Sequence, residues 1–107
     1  MRTPILVITT FPDINTAEQM SHEMVQAKLA ACVNIIPAGQ SIYLWKGEIC
    51  RETEHIVLIK TTDKHYPELE LYIKQQHPYE LPEIISTPIT SGSKEYIEWL
   101  MNGLTNN

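Results

Sequence analysis

Two kinds of hydrophobic pattern alternate along the chain: short apolar runs rich in β-branched residues, and longer stretches whose apolar positions recur every three or four residues. The run "PILVITT", residues 4–10, is of the first kind and is bounded by Phe11-Pro12-Asp13, which predicts a buried strand ending in a turn. In "NTAEQMSHEMVQAKLAA", residues 15–31, Ala17, Met20, Met24, Ala27 and Ala31 fall at helical spacing, and Asn15 followed by Glu18 forms a capping box at the start. Strand character returns in "ACVNIIP". "SIYLW" continues it past Pro37-Ala38-Gly39, where the pattern predicts a bulge or kink in one long strand. Lys46-Gly47 then supplies a two-residue hairpin turn, because glycine takes positive φ without steric penalty.

The return strand "EICRETEHIVLIKTT" is polar from Glu52 to His55 and apolar on both faces in "IVLI", so its far half lies deeper than its near half and the hairpin extends past the core. A second helix follows Asp63, with Pro67 confined to its first turn and Leu69, Tyr72 and Ile73 on one face; it stops before Pro78. "EIISTPI" is a fourth strand, held to an edge or a bulge by Pro88. "GSKEYIEWLMNGL" is a last short helix, capped by Ser93 and striped by Tyr96, Ile97, Leu100, Met101 and Leu104.

This order, βαββαβ plus a terminal helix, predicts an α+β domain of the ferredoxin-like, split β-α-β kind, with two helices over one face of a four-stranded antiparallel sheet. The other face is then left open, with Tyr43, Trp45, Val33 and Ile35 on long, partly apolar strands. Exposed apolar sheet invites aggregation, so self-association through sheet faces and edges, closed by cyclic symmetry, is the expected remedy.

Composition narrows this further. At 107 residues the chain is expected to be one domain, residues 1–107, and 43% hydrophobic with 20% charged residues is the balance of a soluble globular protein without a transmembrane helix. The start, "MRTPILVITTFP", is too short in its apolar run for a signal peptide, which makes the cytoplasm the expected compartment and Cys32 and Cys50 free thiols. A net charge of −5 with scattered Lys and Arg argues against nucleic acid as a partner.

Candidate chemistry is sparse. No C-x-x-C and no pair of histidines at i, i+4 supports a locally assembled zinc site. His77 stands apart in "QQHPYELPEII", residues 75–85, because Pro78 fixes its backbone and it ends a helix, where a partly cationic ring is favoured. Its ring either bonds a carbonyl in a purely structural role or ligates a metal. One histidine per subunit is a weak site, but a second ligand across a subunit boundary would complete one suited to copper. The prolines either form a rigid helix-to-strand join or also hold His77, Tyr79 and Glu83 at a functional surface. For catalysis nothing assembles: there is no G-x-S-x-G elbow and no Gly-rich phosphate loop, neither Arg2 nor Arg51 precedes a helix, and Glu52 and Glu54, sharing one strand face, read as a solvated strand end.

"KLAACVNIIP", "SIYLWKGEI", "IKTT", "HPYELPEII" and the late "YIEWL" stand in an order and spacing that resemble the CutA proteins, the divalent-cation tolerance family, from Ile5 to about Leu104. The resemblance implies a cytoplasmic homotrimer of ferredoxin-like subunits, similar in architecture to the PII signalling proteins, with copper or other divalent ions as ligands; with no nucleophile–base pair in the sequence, no enzymatic activity is expected. His77 matches the histidine of the family's H-P-Y motif associated with copper. Where some bacterial members carry a cysteine at the end of the first strand and a second histidine before H-P-Y, this chain has Thr9 and Gln76. Trp45, Lys60, Tyr79 and Glu83 also fall on motif positions and are candidates for lining a cleft between subunits. A PII-like signalling or scaffold trimer, binding a small molecule or an unidentified partner protein in that cleft, is the alternative reading.

Overall fold

A computed structural model describes residues 2–104. Its elements run β1 (Pro4–Phe11), α1 (Ile14–Gln26), β2 (Cys32–Trp45), β3 (Glu48–Thr62), α2 (Tyr66–Gln76), β4 (Ile85–Pro88) and α3 (Lys94–Gly103). The four strands form one antiparallel sheet in the order β2-β3-β1-β4, which puts the proline-bearing β4 at an edge, where Pro88 removes no needed ladder bond. Among the described residues no helix is long and apolar enough to cross a membrane.

Strand alternation sorts the sheet's side chains into two layers. On one face Ile5, Val7 and Phe11 of β1 and Val57 and Ile59 of β3 pack against Ala17, Met20 and Met24 of α1 and Leu69 and Ile73 of α2, all buried. The two helices are tied to each other where the Tyr72 hydroxyl donates to the Glu23 carboxylate; burial, and then this contact, pushes the phenol's pKa well up. The opposite face is not left wholly open as the pattern predicted. Lys60, one residue on from Ile59, points away from the α1–α2 core, and its ammonium reaches Tyr96 of α3; Leu100 of α3 and Leu104, which caps its C-terminus, are buried outside that core. The third helix therefore covers part of the second face.

α1 starts two residues earlier than the Asn15–Glu18 capping box implies. The N-cap is Asp13, whose carboxylate accepts the Thr16 N–H at 2.9 Å and the Thr16 hydroxyl at 3.1 Å, satisfying a donor that a helix start leaves free. An ionised carboxylate so placed is a better acceptor for that amide than Asn15, which is already inside the first turn; the same bond lowers the Asp13 pKa.

The β2–β3 hairpin follows its pattern closely. Lys46 and Gly47 both take positive φ, 50° and 81°, the backbone that matches a tight hairpin's twist. The register breaks between Ile36 and Gly39, with Ala38 at φ 58° and its N–H donated to His55 Nδ1 at 3.1 Å. Gly39 is required there, since a Cβ would fall 2.9 Å from Ile56 Cδ1 and 3.1 Å from the Glu54 carbonyl oxygen. β1 accompanies β3 only as far as the pair Phe11↔His55. Beyond it, residues 39–54 run on as a two-stranded ribbon, and the molecule stretches to 46 × 25 × 22 Å, with a radius of gyration of 14.5 Å against about 13 Å for a chain of this length folded as a sphere-like domain.

If Asp13 is the cap, Asp13→Ala lowers the thermal unfolding midpoint by several degrees whereas Asn15→Ala leaves it nearly unchanged; equal losses in calorimetric melts of the two variants would return the cap to Asn15.

Candidate functional site

The join between α2 and β4 carries the H-P-Y motif, and its geometry starts from a ring. His77 ends α2 with extended backbone, as the following proline demands, and turns its imidazole back onto the sheet, where it is buried. Its face stacks on Phe11, centroids 4.6 Å apart and planes 19° from parallel. Nε2 lies 2.6 Å from the Thr10 carbonyl oxygen, and Nδ1 accepts the Tyr79 N–H at 3.0 Å. A carbonyl can only accept and an amide can only donate, so the ring is the neutral Nε2–H tautomer with both nitrogens in use. Burial holds its pKa below the ordinary value, against the opposing pull of the Thr10 carbonyl and the Glu54 charge. The partly cationic ring expected at a helix C-terminus is not what forms, because desolvation outweighs the terminal carbonyls.

Held by that bond, Tyr79 swings its ring beside His77, centroids 5.0 Å apart, and donates its hydroxyl to Glu54 Oε2 at 2.9 Å. Burial, then the bond to Glu54, raises the Tyr79 pKa to about 12. Glu54 is only 7% exposed, which corrects its reading as part of a solvated strand end. It faces away from the α1–α2 core, opposite the side-chain-free Gly39, and Tyr79 closes over it. Its strand mate Glu52 stays exposed.

Above this pair lies an open hollow of about 670 Å³. Thr10 and Glu54 belong to the sheet beneath it, Tyr43 and Trp45 come from the protruding ribbon, and residues 78–83 of the join close the remaining side. Of the residues singled out from the sequence, Trp45, Tyr79 and Glu83 meet here. His77 does not line the hollow but braces the join behind it. Within the chain Lys60 lies apart from this hollow, its Nζ 3.3 Å from the Tyr96 hydroxyl and 5.5 Å from that ring's centroid, beneath α3. Tyr43 and Glu54 were missed. The available signal for Glu54 was Gly39 in the predicted bulge, which leaves space over one position of the facing strand.

Copper, implied by the family likeness, does not fit His77 in this arrangement. A metal at Nδ1 would have to displace the Tyr79 amide, and one at Nε2 the Thr10 carbonyl together with a proton. Thr9, fully buried with its hydroxyl unpartnered, and Gln76, exposed, offer neither thiolate nor imidazole. Among the described residues no group of three or more His, Cys, Asp or Glu is placed to hold a metal ion. Cys32 and Cys50 are free and half-buried.

His77→Gln should cost about 1–3 kcal/mol at neutral pH through the two buried bonds it disturbs. The native ring titrates below its unfolded value of about 6.5, so the unfolded chain takes up the proton first; stability is full above that pH and falls as pH drops through it toward the native value. Denaturant melts between pH 7.5 and 5 should show this loss in the wild type and a flatter profile in His77→Gln; parallel profiles would place the His77 proton outside the linkage.

Comparison with known proteins agrees with the geometry. Residues 5–103 match the family described as CutA1 divalent ion tolerance protein. The chain is 42% identical over 95 residues to the divalent-cation tolerance protein CutA of Thermus thermophilus, spanning 89% of this chain and 92% of that one. It is 39% identical over 102 residues to the chloroplastic protein CutA of Arabidopsis thaliana, covering 95% of this chain but 56% of the longer plant protein. Among solved structures, CutA1 of Oryza sativa superposes with a TM-score of 0.93 at 34% identity over 98% of this chain and 96% of that one, and a protein described as the periplasmic divalent cation tolerance protein CutA of Archaeoglobus fulgidus with a TM-score of 0.91 at 32% identity over 95% and 99%. With fold, motif order and nearly full-length identity in agreement, the chain belongs to the CutA1 divalent ion tolerance family.

Proposed function

We propose that the protein is a cytoplasmic homotrimer without catalytic activity, which serves divalent-cation tolerance through a binding hollow at the subunit boundary, in the manner of a PII-like signalling or scaffold trimer. The observation that carries this reading is the ribbon of residues 39–54. A two-stranded hairpin is marginal by itself in water, yet this one bears Ile42, Leu44 and Ile49 at 62%, 70% and 79% exposure. Ile42 and Leu44 share one face with Ile49, while Tyr43 and Trp45 share the other. Covering such a ribbon with neighbouring copies removes the apolar surface from water, and cyclic closure leaves no copy uncovered. Because Tyr43 and Trp45 also wall the hollow, the neighbour that covers the ribbon helps shape the hollow.

This reading assigns no copper ligand to His77. The ring is a brace that sets Tyr79 over Glu54, and the family's link with divalent ions runs through what the trimer binds or contacts and not through chelation at that nitrogen.

Sedimentation at micromolar concentration should give three times the chain mass, and the paired substitution Leu44→Glu with Ile49→Glu should give the single-chain mass; a wild type that stays monomeric overturns the reading. Calorimetric titration with copper and zinc ions should give weak binding that is unchanged in His77→Ala. Tight copper binding lost in that variant would restore His77 as the ligand.

A further inference from the structure

Glu54 is the least expected charge in the molecule. It is more than nine-tenths buried, its one close partner is the neutral Tyr79 hydroxyl, and no lysine, arginine or histidine among the described residues pairs with it. A buried carboxylate without a counter-charge is costly, and the structure usually supplies one. Here the group lies at the base of an open hollow. The lining residues bring two more carboxylates, Glu80 and Glu83, and three aromatic rings, Tyr43, Trp45 and Tyr79, but no cationic side chain.

From this arrangement we infer that the hollow binds a small organic ammonium ion, its charged nitrogen at Glu54 and its carbon chain against Trp45 and Tyr43. The inference rests on the hollow being the binding site proposed above and adds the class of ligand. Two features favour an organic cation over a bare metal ion. Divalent ions such as calcium or magnesium need six or more oxygen ligands in a defined shell, and no cluster of that kind is placed among the described residues. The aromatic walls, by contrast, offer π faces that attract a cation bearing apolar shoulders. Trp45 already shows the tendency: the Lys46 ammonium rests 5.9 Å from its ring centroid. Tyr79, orienting Glu54 through its hydroxyl, leaves the carboxylate its other oxygen for an N–H donor.

The test uses the whole protein and n-butylammonium as probe, with 1-pentanol as a neutral molecule of similar shape, followed by calorimetry. Saturable binding of the ammonium with a Kd of about 1 mM or tighter, with pentanol at least about tenfold weaker, is expected. Glu54→Gln should weaken ammonium binding about tenfold or more without changing the pentanol result. Should that variant fold poorly, Trp45→Leu, at an exposed position, must show a weakening of several fold. Equal binding of the two probes overturns the inference by making the hollow merely apolar. Glu54-dependent binding of magnesium or copper ions with none of the ammonium overturns it in favour of a metal site. Running sedimentation on the same samples separates the two readings: a trimer that ignores the ammonium sinks only the ligand class, and a monomer sinks the subunit-boundary reading.

Discussion

An imidazole ring with both nitrogens occupied governs the end of this fold where binding is proposed. By donating to Thr10 and accepting from Tyr79, His77 ties the α2–β4 join to the end of β1, and Phe11 fixes the plane of the ring. Either bond alone would leave the ring free to rotate about the other. Together they define one tautomer and one orientation, and the position of Tyr79 follows from them. Tyr79 in turn closes over Glu54, so four residues from three segments distant in sequence form one chain of hydrogen bonds from β1 through the join to β3. The prolines at 78 and 82 limit the backbone alternatives of the segment between, which lowers the entropy lost in holding it against the sheet.

The second constraint is geometric. β3 has 15 residues and β1 has 8, so the hairpin must overrun the sheet, and its outer half has partners on one side only. The side chains there are those of a buried strand: Ile42, Leu44, Trp45 and Ile49. Apolar composition in the absence of a third strand is what connects the fold to the proposed assembly, and it places the aromatic walls of the hollow on the element that a neighbouring copy is proposed to cover. The proposed binding and the proposed self-association thus draw on the same sixteen residues, 39–54, from opposite faces of one ribbon.

Much of this was legible before any coordinates. Periodicity marked all four strands and three helices, the Lys46-Gly47 turn is where the chain reverses, and the irregularity at Pro37-Ala38-Gly39 is where the register breaks. Those features are local: they depend on which side chains recur and on which backbone angles a residue tolerates. The start of α1 was misplaced because two acceptors, Asp13 and Asn15, lay two residues apart and pattern alone does not say whose side chain reaches the third amide. Lys60 takes the same sheet face as Glu54, six residues along β3, and it is the α3 helix over that end of the face that separates it from the hollow.

The elements, their order and the family follow from the order of residues alone, since each rests on short-range chemistry and on residue types at fixed spacing. Packing in three dimensions is what makes His77 a doubly bonded brace, buries Glu54 beneath Tyr79 while Glu52 two residues away stays exposed, and divides the second face between a helix and a hollow. Burial and hydrogen-bond partnership are properties of pairs brought together across 25 to 67 residues of chain, and no local pattern encodes which pairs those will be.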